Sequence, residues 1–237
     1  RELIYRRFKI KLGLSSVSRL LKQLGLTCQK PIFKAWQQNQ QQVQKWLNKV
    51  FPKIKARAKA EKAEIYFADE AGVRSDFHSG TTWAPKGQTP VVTSTGARFS
   101  VNMISAVSPR GDFRFMVVEG TVSADVFIGF LKRLMVGARK KVFLIVDGHP
   151  THRSKKTKEF IASLKGKLEL FFLPAYSPEL NPDEYAWNDL KNNVVGRSTV
   201  ASKNELKSKV IGGLRRIQKN PEKVRSYFQH PKTQYAA

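Results

Sequence analysis

Val142-Phe143-Leu144-Ile145-Val146 is an unbroken apolar run that ends on an acid, Asp147. Branched and aromatic residues in succession suit a strand, and no alternate position is polar. Such a strand belongs in the centre of a sheet covered on both faces. The acid matters as much as the run. A carboxylate that extends this strand is costly to bury unless a cation or another partner compensates. The run is also far short of the roughly 18 residues that span a bilayer, and no other stretch comes closer, so no membrane-spanning segment is expected.

Around this strand the pattern alternates between sheet and helix. Ile65-Tyr66-Phe67-Ala68-Asp69 reads as a strand that also ends in acid, and 98–107 and 113–119 read as a hairpin closed by Ser108-Pro109-Arg110-Gly111. Helices are predicted over 123–136, started by Ser123, and over 154–165. A strand follows from Leu168 to Leu173. Asn181 caps a later helix with Pro182 at its first position, and further helices cover 202–218 and 221–228. Antiparallel strands followed by strand-helix-strand-helix predict a mixed-sheet α/β fold.

The first 60 residues are of another kind. Leu3, Ile4, Tyr5 and Phe8 give one helix an apolar face. Ser15 or Ser16 suits the N-cap of a second, with Val17, Leu20, Leu21 and Leu24 at helical spacing and Gly25 as the stop. Ser15, Ser16, Ser18, Arg19 and Lys22 then share its open face, as in the recognition helix of a helix-turn-helix. A packing hairpin with a solvated basic face is the alternative. Pro31 begins a connection, and 36–60 reads as a polar, basic helix with an interruption at Pro52, whose glutamines suggest no chemistry. The expected organisation is a partial DNA-binding module at 1–31, a basic helical linker at 32–62, and a catalytic domain at 63–237.

Charge sharpens this division. The chain of 237 residues has 43 Lys and Arg against 18 Asp and Glu, a formal net charge of +25. Residues 1–62 hold 16 basic and 2 acidic residues, 63–184 hold 16 and 13, and 185–237 hold 11 and 3. The excess calls for a polyanion, either nucleic acid or an anionic membrane surface, and the acids gathered in the middle suit a metal-binding centre that acts on nucleic acid, with no membrane as partner. The single cysteine, Cys28, excludes an internal disulfide framework and a cysteine-built zinc site. The absence of a recognisable leader points to a reducing, cytoplasmic setting, and Arg1 in first position reads as the start of a fragment.

Asp69 and Asp147 both end strands, and catalytic sites of open α/β sheets lie beyond such ends. Each acid taken alone reads more simply as a turn or capping residue. Asp183 and Glu184 open a helix, where acids also serve the dipole. On an ideal strand Glu70 points away from Asp69 and reads as structural. Lys155, Lys156 and Lys158 lie on a basic helix that either contacts DNA backbone or is merely solvated.

Phe67-Ala68-Asp69-Glu70-Ala71-Gly72, Val146-Asp147-Gly148-His149-Pro150-Thr151-His152, and Leu173-Pro174-Ala175-Tyr176-Ser177-Pro178-Glu179-Leu180-Asn181-Pro182 with Glu184 and Trp187 together resemble the DDE transposases of the mariner-like insertion-sequence superfamily. The segment Thr82-Trp83-Ala84-Pro85-Lys86-Gly87 resembles that family's hairpin after its first aspartate, and 1–31 resembles the last part of its winged-helix DNA-binding region. The resemblance implies a ribonuclease H-like fold and a catalytic, metal-binding triad at Asp69, Asp147 and Glu184. The last two have 36 residues between them. Asp183 departs from the family pattern, which makes it the rival of Glu184. Two Mg²⁺ ions, replaceable by Mn²⁺, would activate the attacking oxygen and stabilise the leaving one, and hard cations take oxygen ligands.

The resemblance further implies double-stranded DNA as partner (element terminal repeats and target), a homodimer in the DNA complex, and a place on the bacterial nucleoid. His152 matches a histidine common in the family and is a candidate for touching phosphate or water, or for satisfying loop backbone, as His149 more simply does. The leading function is a transposase that cleaves element ends and joins their 3′ ends to target DNA. A non-catalytic DNA-binding repressor derived from such an enzyme is the alternative. A structure-selective nuclease is a third, and it leaves the helix-turn-helix unexplained.

Overall fold

The computed structural model describes residues 1–29, 35–77, 83–91, 97–197 and 199–237; Pro31 and Thr82, both used above, lie outside them. Two compact units are present, Arg1–Trp36 and Gln37–Ala237.

The first unit contains helices α1 (Glu2–Phe8) and α2 (Leu14–Gln23). Gly13, not Ser15 or Ser16, is the N-cap of α2, and no side chain caps it. Gly25 ends the helix in the left-handed region at φ 75°, where a residue without a Cβ is unstrained. No residue of either helix is buried. Leu20, Leu21 and Leu24 are 40–67% exposed, so among the described residues the apolar stripe of α2 packs into no core.

The second unit is built on one five-stranded sheet in the order β3-β2-β1-β4-β5. Its strands are β1 (Glu64–Arg74), β2 (Ser100–Val107), β3 (Phe113–Val118), β4 (Val142–Val146) and β5 (Leu168–Phe172). The pairs β1–β2 and β2–β3 are antiparallel, whereas β1–β4 and β4–β5 are parallel. This is the mixed, ribonuclease H-like sheet that was expected. All five residues of β4 are buried.

Helices cover both faces. Phe67, Val101, Met103, Phe143 and Ile145 face one core, shared with α4 (Phe51–Ala60), α8 (Asp183–Leu190), α9 (Lys203–Gln218) and α10 (Pro221–Ser226). Tyr66, Ala68, Ile104, Leu144 and Val146 face the other, with α5 (Ala124–Met135) and α7 (Lys155–Ser163). The period-2 alternation of β1 therefore continues into its acids. Asp69 follows Phe67 onto the α8 face, and Glu70 follows Ala68 onto the α5 face.

Three expectations need correction. β1 does not stop at Asp69 but runs on to Arg74, because β2 pairs with it antiparallel from Phe67 to Arg74. Pro182, not Asn181, precedes the first residue of α8, although Asn181 Oδ1 still accepts the Asp183 amide at 3.1 Å. The helical part of the segment expected as a linker is a packed element. It comprises α3 (Gln40–Lys45), a π-helical turn (Trp46–Val50) and α4, with Pro52 harmless in the first turn of α4. Val43, Trp46, Phe51, Ile54 and Ala58 are all buried in the first core. Among the described residues no helix is long and apolar enough to cross a membrane.

Candidate active site

The parallel register of β1 and β4 pairs Phe67 with Ile145. Carried two residues further, it brings Asp69 level with Asp147, just where β4 ends and β1 continues alone beside β2. The two acids belong to neighbouring strands, and their crevice is closed by the loop from Leu173 to Asn181 and by α8. A cleft of about 530 Å³ is lined by Asp69, Asp147 and Glu184 together with Gly148, His149, Leu173, Pro174, Tyr176 and Asn181. The acid wall faces a largely apolar one.

The loop wall is held in place from three directions. Asn181 Nδ2 donates to the Ala68 carbonyl at 3.1 Å, tying the loop to β1 beside Asp69. The Tyr235 hydroxyl donates to the Leu180 carbonyl at 2.8 Å. Gln38 Nε2 lies within hydrogen-bond reach of the Tyr176 carbonyl (3.0 Å), Ser177 Oγ (3.1 Å) and Glu179 Oε1 (2.6 Å). These contacts stabilise a loop in which Tyr176 adopts φ 56°, a conformation costly for a residue with a Cβ. Gln38 comes from the glutamine-rich segment that suggested no chemistry, and nothing in its local sequence marks it out.

The two adjacent acids of α8 part company. Asp183 is 0% exposed, and its Oδ2 accepts the Ser105 hydroxyl at 2.6 Å from β2. Burial pushes its carboxyl well above the ordinary range; the Ser105 bond opposes that rise and the nearby Glu184 adds to it. Glu184, one residue on, lines the cleft. Asp69 is also pushed well up, first by burial and then by the charges of Glu184, Asp183, Glu70 and Asp147. Asp147 moves the other way. Burial disfavours its charge, but hydrogen bonds from His152 and from the His149 amide (2.9 Å) hold it below the usual carboxylate value.

His152 is corrected most. Its side chain is 1% exposed, and its ring lies 4.3 Å from that of Phe127 on α5. Nε2 is 2.6 Å from Glu70 Oε1, and Nδ1 is 3.1 Å from Asp147 Oδ1 and 3.3 Å from the Asp147 carbonyl, the loop-backbone role that was the alternative. Burial disfavours a charged ring, but the bonds to Asp147 and Glu70 outweigh it and raise its pKa to about 9. With both nitrogens engaged, no donor is left for phosphate or water. Glu70, read as structural, is its second anchor. His149 N-caps the single turn α6 (Pro150–Arg153), as its bland reading required.

Among the described residues, Glu70, Asp147 and His152 have ligand atoms within 4.8 Å of one another. Both ring nitrogens of that histidine are taken up within the group, Nε2 by Glu70 and Nδ1 by the carboxylate and carbonyl of Asp147. Asp69, Asp147 and Glu184 present oxygen donors to a shared cleft, and their crowding raises the proton affinity of one of them. That is the condition a hard divalent cation relieves.

Residues 64–207 match the family described as DDE superfamily endonuclease. The chain belongs to that family. A winged helix-turn-helix family matches residues 1–50, which takes in both α1 and α2 and continues into the packed helix α3 and the turn after it. The chain is 28% identical over 149 residues to an uncharacterized 39 kDa protein of insertion element IS630 from Shigella sonnei, an alignment covering 62% of this chain and 43% of that relative. The chain thus spans less than half the length of the curated relative. Among solved structures, the Mos1 mariner paired-end complex with Mn superposes with a TM-score of 0.64 at 14% identity, covering 100% of this chain and 78% of that one. The Mos1 strand transfer complex gives 0.58 at 16% identity, covering 95% and 76%. Likeness at that identity speaks for the fold.

Ser15, Ser18, Arg19 and Lys22 are exposed on α2, and Ser16 is half-buried. On α7 of the DDE domain, Lys156 pairs with Asp125 at 2.9 Å and Lys155 sits 3.8 Å from Glu159, both on the open surface. Such pairs are worth about 0–1 kcal/mol and yield readily to a polyanion.

Proposed function

We propose that this chain is the catalytic part of a DNA transposase, cutting phosphodiester bonds at element ends and joining the 3′ ends to target DNA. The observation that carries the reading is the common cleft of Asp69, Asp147 and Glu184, the first on β1, the second just past the end of the neighbouring parallel strand β4 and the third on α8. The donor set suits two Mg²⁺ ions, or Mn²⁺ in their place, with these three carboxylates as ligands and Asp183 excluded by its burial. Cations so held supply an activated oxygen nucleophile and charge stabilisation at the leaving oxygen.

The chain's own groups do the rest. The Leu173–Asn181 wall, pinned by Gln38, Asn181 and Tyr235, shapes the groove beside the acids and limits water on that side. Lys155 and Lys156 neutralise backbone phosphates, while Ser15, Ser16, Ser18, Arg19 and Lys22 on α2 contact the duplex in the manner of a recognition helix. The partners in this reading are terminal-repeat and target DNA, bound by a homodimer in the bacterial cytoplasm.

The test is an oligonucleotide nicking and joining assay with Mg²⁺ or Mn²⁺, comparing the chain with its Asp147→Ala variant. Metal-dependent products that vanish in the variant support the reading. Tight DNA binding with no cleavage under any metal condition would instead favour a repressor.

A further inference from the structure

Asp147 stands one residue beyond the last ladder bond of β4, in the loop Asp147-Gly148-His149, and its side chain is half exposed at 52%. The sheet therefore does little to orient its carboxylate. Two donors do so instead, and both act on the same oxygen. The His149 amide donates to Oδ1 at 2.9 Å, and His152 Nδ1 lies 3.1 Å from the same oxygen while also reaching the Asp147 carbonyl at 3.3 Å. Oδ2 is left as the oxygen available to a cation.

The histidine is itself fixed. Phe127, 0% exposed, backs its ring, and Glu70 Oε1 holds the far nitrogen at 2.6 Å. Its backbone is set by the turn α6, which the buried Thr157 ties to α7 through a 2.8 Å bond to the Thr151 carbonyl. Glu70 neighbours Asp69 in sequence but lies on the opposite face of the sheet, so β1 reaches Asp147 from that side through an imidazole.

We propose that Glu70 and His152 are positioning residues for Asp147: Glu70 sets the ring, and the ring sets the carboxylate that binds the cation. Groups that orient a metal ligand from behind typically govern affinity by about 10–100-fold. The inference rests on Asp147 being a cation ligand, and the experiment separates the two.

Mn²⁺ binding to the full chain is measured by electron paramagnetic resonance, without DNA, for the wild type and for Asp147→Ala, Glu70→Ala, Glu70→Gln and Glu70→Asp. In parallel, ¹⁵N-histidine spectra of the metal-free proteins report the ring N–H groups of His152. Glu70→Ala should weaken Mn²⁺ binding by about 10-fold or more and expose the Nε2 proton to exchange. Glu70→Gln keeps an acceptor oxygen of the same reach and should recover most of both. Glu70→Asp keeps the charge but withdraws the acceptor, so it should behave like Ala, which also covers the case that Glu70→Ala fails to fold. Undiminished Mn²⁺ binding in Asp147→Ala would overturn the ligand assignment beneath the inference. Loss in Asp147→Ala with wild-type binding in Glu70→Ala or Glu70→Asp would overturn the positioning role alone.

Discussion

Replacing Asp183 by Asn tests how the two adjacent acids of α8 divide their work. Asp183 is fully buried against Ser105, and burial holds its carboxyl well above the ordinary value. A raised folded-state pKa means that the folded protein binds the proton more tightly than the unfolded chain does. Wild-type stability therefore falls as pH rises from about 3.9, the unfolded value, toward the raised one, by about 1.4 kcal/mol per pH unit within that window. Asn has no charge to lose, and its carbonyl can still accept the Ser105 hydroxyl. In metal-free buffer the variant should gain on the wild type as pH rises, by roughly 3–6 °C in melting temperature per unit for a domain of this size. Metal-dependent nicking should survive Asp183→Asn and be lost in Glu184→Gln, whose carboxylate lines the cleft. A melting-temperature gap that stays flat with pH would refute the buried-carboxyl argument. Nicking lost in Asp183→Asn and retained in Glu184→Gln would make Asp183 the ligand.

In α9, Gly212 has open space where a Cβ would sit, so Gly212→Ala should stabilise by up to about 1 kcal/mol in urea melts. A Cβ on Gly213 would lie 2.6 Å from Leu190 Cδ1 and 3.1 Å from both methyls of Val194, and Leu190 is fully buried. Gly213→Ala should therefore be less stable than Gly212→Ala by about 1–3 kcal/mol; equal stabilities would refute that packing. Gln38→Ala should loosen the cleft wall at a cost of about 1–2 kcal/mol and reduce nicking more than duplex binding, measured side by side. Removing residues 1–36, which hold 9 basic and 1 acidic residue, should flatten the salt dependence of duplex affinity, whose log–log slope is about −0.9 per phosphate contacted. Extending the deletion to residue 62 should unfold the protein, because it strips Trp46, Phe51 and Ile54 from the core.

Asp69, Asp147 and Glu184 were singled out by a family resemblance, whereas the apolar run of β4 and the cap at Ser123 were legible in the sequence itself. Each depends on interactions within a few residues, or on an apolar pattern that only a covered strand satisfies. The stripe of Val43, Trp46, Phe51, Ile54 and Ala58 was present too, but lysines and glutamines between its members made a packed helix look like a linker. Other features were not legible. Asp183 and Glu184 are adjacent acids at the start of one helix, and only a turn of about 100° between successive residues sends one under β2 and the other into the cleft. Glu70 meets His152 across 82 positions, and Gln38 meets Tyr176 across 138. Local periodicity decides which face of an element a residue occupies. What waits on that face depends on the order of strands in the sheet and the loops between them, so whether a carboxyl lines the cleft, braces a histidine or lies buried was decided by tertiary structure alone.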